Sequence, residues 1–151
     1  MFVDDRDDPL PAAPLVRLAE IVLKGETVPS HAEVALTIVD AAEMEQLNRA
    51  HMGKAGPTDV LSFPLEDAAP GKPPAPSPGG PPPLLGDVVI CPQIVRDHAD
   101  DEGSTFEDEL ALIVVHGLLH LLGYDHVDDA DAERMEARER TYLAAVGRRR
   151  R

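Results

Sequence analysis

Apolar residues recur at helical spacing over residues 12–24, where Leu15, Leu18, Ala19 and Val22 share a face and Gly25 closes the run. The pattern then changes. Residues 33–39, Glu-Val-Ala-Leu-Thr-Ile-Val, read as a strand, and Asp40 caps a helix through about Ala50, with Glu43 completing a capping box. Val60 to Phe63, bracketed by Pro57 and Pro64, is a second strand, and Asp87 to Cys91, entered through Gly86, is a third. Met1 to Val3 reads as a short opening strand, and Pro92 opens a short helix over 92–100. A helix from about Thr105 to Leu122 is apolar nearly all round in its second half (Ile113, Val114, Val115, Leu118, Leu119, Leu121, Leu122), which marks it as buried rather than amphipathic. Gly123 stops it, and a last helix with an acidic first turn runs from about Asp129 to Val146. Strands interleaved with helices predict an α/β (α+β) domain, a small mixed sheet packed with helices.

Composition narrows this picture. A chain of 151 residues with 43% hydrophobic residues is long enough to bury a core as one domain, taken here as residues 1–147, and its single cysteine excludes a disulfide framework. Cys91 follows an apolar strand and reads as a buried hydrophobe. Eight of the 15 prolines fall between Pro70 and Pro83, so residues 68–84 are expected to form an exposed insert without regular structure. No apolar run reaches the length of a membrane span and no leader-like pattern opens the chain, so a soluble, cytoplasmic protein is expected. The net charge of -14 argues against non-specific nucleic-acid binding, although four of the 14 basic residues are Arg148, Arg149, Arg150 and Arg151. That tail, 148–151, reads as a frayed, solvated end or as a basic arm reaching RNA or an acidic surface.

The candidate chemistry lies in the buried helix. His116 and His120 are four residues apart, so both imidazoles leave one face, a turn apart. After Gly123 the chain reverses and His126 swings toward the same point. Three neutral imidazoles converging there form a zinc-type site with an open fourth position, suited to acidifying a water or polarising a phosphoryl oxygen. A lone histidine on an apolar helix is usually a core residue with a backbone partner, but three at this spacing are not explained so. The spacing matches the metzincin proteases, glycine included, yet Gly117 stands where those enzymes carry their glutamate base, which argues against a peptidase.

The block His116-Gly-Leu-Leu-His-Leu-Leu-Gly-Tyr-Asp-His126 resembles the signature of the bacterial YbeY endoribonucleases, the rRNA maturation factors. Pro57-Thr-Asp-Val-Leu-Ser-Phe-Pro64 and Leu84-Leu-Gly-Asp-Val-Val-Ile-Cys91 agree in order and separation, and the resemblance spans roughly residues 33–146. It implies a single-domain α/β fold, one zinc (Zn2+) on the three histidines, and hydrolysis of single-stranded RNA. It further implies maturation of the small-subunit rRNA 3′ end and a part in ribosome quality control. The implied partners are the small ribosomal subunit, one of its proteins and a ribosome-assembly GTPase. Against the family pattern Tyr-Arg-Gly-Lys this chain has His51-Met52-Gly53-Lys54, so Met52 stands at the arginine position and Lys54 is the nearest substitute cation.

The remaining candidates stay open at this level. Asp125 accepts a proton or orients an imidazole, or it caps the turn after Gly123. Thr58, Asp59 and Ser62 meet substrate if their strand edges the cleft, or they form a turn and face solvent. His31, His51 and His98 read as surface residues, His51 being of interest beside Met52. Three phenylalanines, two tyrosines and no tryptophan leave few platforms for stacking bases. Either water or the RNA's own 2′-hydroxyl serves as nucleophile. A non-catalytic assembly factor with a structural zinc is the competing function, and a metallopeptidase the weaker one.

Overall fold

The computed structural model describes residues 1–74 and 78–151. Its elements run β1 (Phe2–Asp4), α1 (Ala12–Gly25), β2 (Glu33–Ile38), α2 (Ala41–Met52), β3 (Val60–Pro64), β4 (Leu84–Ile90), α3 (Pro92–Glu102), α4 (Phe106–Leu121) and α5 (Asp129–Ala145). The sheet order is β1-β2-β4-β3. The β1–β2 and β2–β4 pairs are parallel, and β3 adds to β4 antiparallel, so the sheet is mixed as its interleaved pattern predicts.

Strand periodicity divides the interior in two. Leu36, Ile38, Val88 and Ile90 face the larger core, which also holds α1, α4 and the buried side of α5. Val89 points the other way and joins Leu61, Met44, Val39 and Cys91 in a smaller core beneath α2. The central helix α4 is buried at eleven positions, from Glu109 to Leu121, and touches the sheet through Gly117. A Cβ at Gly117 would lie 2.6 Å from Val88 Cγ1 and 3.2 Å from Val60 Cγ2. The glycine lets the helix backbone sit against the sheet, and position 117 faces strands rather than the histidines. A glutamate would not fit there, which explains in packing terms why the protease-like base is missing.

Several boundaries differ from the sequence reading. β4 begins at Leu84, three residues early, because Leu84 pairs with Glu33 of β2. Cys91 lies outside the strand as the extended N-cap of α3, where Pro92 starts the helix, and it is fully buried. α2 continues to Met52 before the left-handed Gly53 ends it. In the proline-rich insert, Ala69 and Lys72 form an isolated bridge, so this part carries local structure, while residues 75–77 lie outside the described residues. The largest revision concerns the arginine tail. Three of its four side chains fold back onto the protein: Arg148 pairs with Asp108, Arg150 with Glu136 and Glu139, and Arg151 with Glu102 and Glu109. No helix among the described residues is long and apolar enough to cross a membrane.

Candidate metal centre

His116 and His120 project from the last two turns of α4, and His126 follows the turn at Gly123. Gly123 takes φ +91°, and a Cβ there would collide with the backbone of Ala68, so both the turn and the approach of the insert require glycine. The turn brings His126 back. One ligand atom from each of His116, His120 and His126 lies within 4.8 Å of the others. His116 Nε2 and His120 Nε2 are 3.0 Å apart.

The outer nitrogens explain this convergence. His116 Nδ1 lies 2.8 Å from Glu139 Oε2, and His120 Nδ1 lies 2.9 Å from the carbonyl oxygen of Tyr124. An ionised carboxylate and a carbonyl can only accept, so both Nδ1 atoms carry the proton and donate it. Both Nε2 atoms are thereby left with lone pairs directed at the shared point. A tetrahedral zinc with Zn–N distances of about 2.0–2.1 Å needs ligand nitrogens roughly 3.3 Å apart. The pair on α4 is close to that spacing, and the three-imidazole donor set suits zinc. Burial, and after it the proximity of His116 and His126, hold His120 below the ordinary imidazole pKa, which keeps it neutral and able to ligate.

Each anchor is itself supported. Glu139 is 1% exposed and accepts from Arg150 Nε at 2.9 Å as well as from His116. Burial alone would raise its pKa; the hydrogen bonds from His116 and Arg150 outweigh that and hold it below the usual carboxylate range. Tyr124 donates its hydroxyl to Glu26 Oε1 at 2.6 Å. Glu26, buried at the end of α1, also accepts from Tyr142 and from Arg138 Nε at 2.9 Å. These donors overcome its burial and keep it ionised, with a lowered pKa. Thus α1 and α5 brace the two histidines of α4 through buried carboxylates.

Neither carboxylate was singled out from sequence. A signal existed for Glu139: it sits in the stripe Met135, Glu139, Tyr142, Leu143, the buried face of α5, where a charge needs a partner. Glu26 follows α1 in a polar stretch and offers no such sign.

The other candidates are placed as follows. Asp125 is exposed; its Oδ1 accepts the His126 backbone N–H at 2.8 Å and lies 3.9 Å from His126 Nδ1. Ser62, on β3, donates to the Gly117 carbonyl at 2.9 Å, so its proton is spent on α4 while its lone pairs are not. Thr58 Oγ1 donates to Asp59 Oδ1 at 3.3 Å, and Asp59 Oδ2 lies 3.3 Å from His98 Nδ1. His98 is therefore partly buried with a carboxylate partner rather than a free surface residue. Lys54 is exposed just beyond Gly53, and Met52 is 54% exposed. The His51 ring meets the edge of Phe63 at a centroid distance of 5.0 Å.

Comparison with known proteins agrees with this geometry. The family model described as Endoribonuclease YbeY matches residues 10–147. The Endoribonuclease YbeY of Micrococcus luteus is 46% identical over 126 residues, covering 83% of this chain and 78% of that protein. That of Leifsonia xyli subsp. xyli is 46% identical over 136 residues, covering 90% and 87%. A solution structure from Thermotoga maritima superposes with a TM-score of 0.60 at 32% identity, covering 86% of this chain and 77% of that one. Three histidines brought together by one helix and its following turn, in a mixed α/β fold matched over nearly its whole length, make this chain a member of the YbeY endoribonuclease family.

Proposed function

We propose that this protein is a single-strand-specific endoribonuclease that uses one zinc ion on His116, His120 and His126 to mature the 3′ end of small-subunit rRNA. The observation that carries the reading is the paired Nδ1 anchoring, which directs two imidazole lone pairs at one point with a third imidazole beside them. The names of its relatives supply the substrate class, RNA.

A zinc ion held there supplies a Lewis acid toward a phosphoryl oxygen and an acidified water. The chain's own residues do the rest. Glu139 and the Tyr124 carbonyl fix the rings, so no reorganisation is needed as charge develops on the phosphate. Asp125, beside His126, accepts the proton of the nucleophile, whether water or the RNA 2′-hydroxyl. Lys54 offers a positive charge toward the phosphate from the loop after α2, in place of the arginine that Met52 replaces. Thr58, Asp59 and Ser62, at and before the edge strand β3, line the approach of the RNA. Position 117 contributes no base, since it faces Val88 and Val60.

The resemblance extends the proposal to ribosome quality control, and to association with the small subunit, one of its proteins and an assembly GTPase, in the cytoplasm. A net charge of -14 and the absence of an arginine at position 52 favour one second reading, an assembly factor whose zinc is structural. The two separate in cells lacking the gene. Wild type restores the mature 3′ end of the small-subunit rRNA under either reading. If the protein is the nuclease, His116→Ala still associates with the subunit and leaves the 3′ end unprocessed. Loss of subunit association together with processing in His116→Ala would favour the assembly factor with a structural zinc, and full processing by the variant would contradict both readings of the zinc site.

A further inference from the structure

Of the four consecutive arginines at positions 148–151, Arg148, Arg150 and Arg151 fold back onto carboxylates. After α5, Gly147 takes φ +73° and the Arg148 N–H returns to the Leu143 carbonyl at 2.8 Å, which turns the chain back along the helix. Arg148 Nη1 then reaches Asp108 Oδ1 at 2.9 Å, and Arg151 Nε lies 3.1 and 3.0 Å from the two oxygens of Glu109, a residue 1% exposed. Between them, Arg150 Nε donates to Glu139 Oε1 at 2.9 Å while its Nη2 reaches Glu136 Oε1 at 3.2 Å. Glu139 Oε2, the other oxygen of the same carboxylate, holds His116 Nδ1 at 2.8 Å.

We propose that Arg150 is a positioning residue of the metal centre: it fixes the carboxylate of Glu139, Glu139 fixes the His116 ring, and the folded-back arginine segment thereby sets how tightly zinc is held. Glu139 has one oxygen for the histidine and one for the arginine, and with Arg150 in place its side chain is 1% exposed. An arginine suits this place because its planar fork spans Glu139 and Glu136 together, which a point charge does not. Without Arg150 the carboxylate keeps only the imidazole as partner and is free to rotate, so the His116 Nε2 lone pair loses its fixed direction. The tail therefore serves the site from inside the molecule, with Arg148, Arg150 and Arg151 already committed to carboxylates and not displayed for RNA.

The inference rests on the zinc reading of the triad, and the test keeps the two apart. Zinc affinity of the full chain is measured by competition with a chromophoric chelator, alongside thermal melts of the metal-free protein. Loss of a partner to a metal-ligating residue typically costs 10–100-fold in metal affinity, and Arg150, one step further out, should cost about tenfold as Arg150→Ala. Arg150→Lys should recover part of that, and Arg149→Ala, which removes an equal charge but no ion pair among the described residues, should bind as wild type does. Should Arg150→Ala fail to fold, Arg150→Lys carries the test, with an affinity between wild type and tenfold weaker. Wild-type affinity in whichever of these two variants folds would overturn the role of Arg150 and leave the zinc reading intact. Failure of the wild-type chain to bind zinc would overturn both.

Discussion

The two histidines of α4 and the third histidine beyond it are held in different ways. His116 and His120 are half-buried, rise from a helix whose neighbours are core, and each donates Nδ1–H to a fixed acceptor. His126 is exposed on a turn, and the adjacent Asp125 is exposed too, with a 3.9 Å separation that is no hydrogen bond. Two of the three donors are thus oriented by hydrogen bonds to the fold, and the third is placed beside them by the turn alone. The prearranged pair costs little entropy to use. The turn leaves His126 on the solvent side of the cluster.

The sharpest way to break this contrast is to remove the histidines one at a time. Each of His116→Ala, His120→Ala and His126→Ala should abolish zinc binding in the micromolar range, because two imidazoles do not make the site. The metal-free proteins should differ. His120→Ala strands the Tyr124 carbonyl and should cost about 1 kcal/mol in chemical denaturation, and His116→Ala, which strips a donor from buried Glu139, about 1.5–3 kcal/mol. His126→Ala should stay within about 0.5 kcal/mol of wild type. Equal losses for all three would erase the distinction.

Gly117→Ala tests the seat of the rigid half. A helix ordinarily gains about 1 kcal/mol from this change, whereas forcing a methyl group into a filled core costs about 1–3 kcal/mol. With Val88 Cγ1 at 2.6 Å from the new Cβ and Val88 fully buried, overpacking wins, and the midpoint of urea unfolding should fall. A rise in the midpoint would mean α4 is less tightly seated than the structure describes.

A smaller effect belongs to the network behind His120. Burial first, and then the hydrogen bond to and charge of Glu26, push the Tyr124 pKa up to about 12. The folded chain therefore holds this proton more tightly than the unfolded one, whose tyrosine titrates near 10. The resulting stability is complete below pH 10 and is lost as pH rises from 10 toward 12. Tyr142, raised by the same causes, adds to the loss. Stability measured from pH 9 to 11.5 should fall for wild type and fall less steeply in Tyr124→Phe. Identical slopes would remove Tyr124 from the brace.

Much of this was legible in the residues. The all-round apolar character of α4 and the spacing of His116, His120 and His126 depend only on helical periodicity and one glycine turn, so sequence gives them directly. The order of the strands was not legible, since it depends on which strand ends meet: Leu84 enters β4 only because Glu33 lies opposite. Likewise, four arginines in a row look like a solvated end until α4 and α5 bring Asp108, Glu109 and Glu139 together beneath them. Such partners are 11 to 42 residues apart, and local pattern carries no record of them. The stripe on α5 did mark Glu139 as a buried charge, though not which imidazole it would hold.

Because His126→Ala should disturb the fold least of the three changes, it gives the most direct test of the central claim. Wild type and His126→Ala are purified, supplied with one equivalent of zinc, and given a single-stranded RNA oligonucleotide and its duplex. The wild-type chain should cleave the single strand and spare the duplex, while His126→Ala should cleave neither RNA and yet melt as metal-free wild type does. Cleavage by His126→Ala at the wild-type rate would contradict the account, because the three histidines would then not be the site of the reaction.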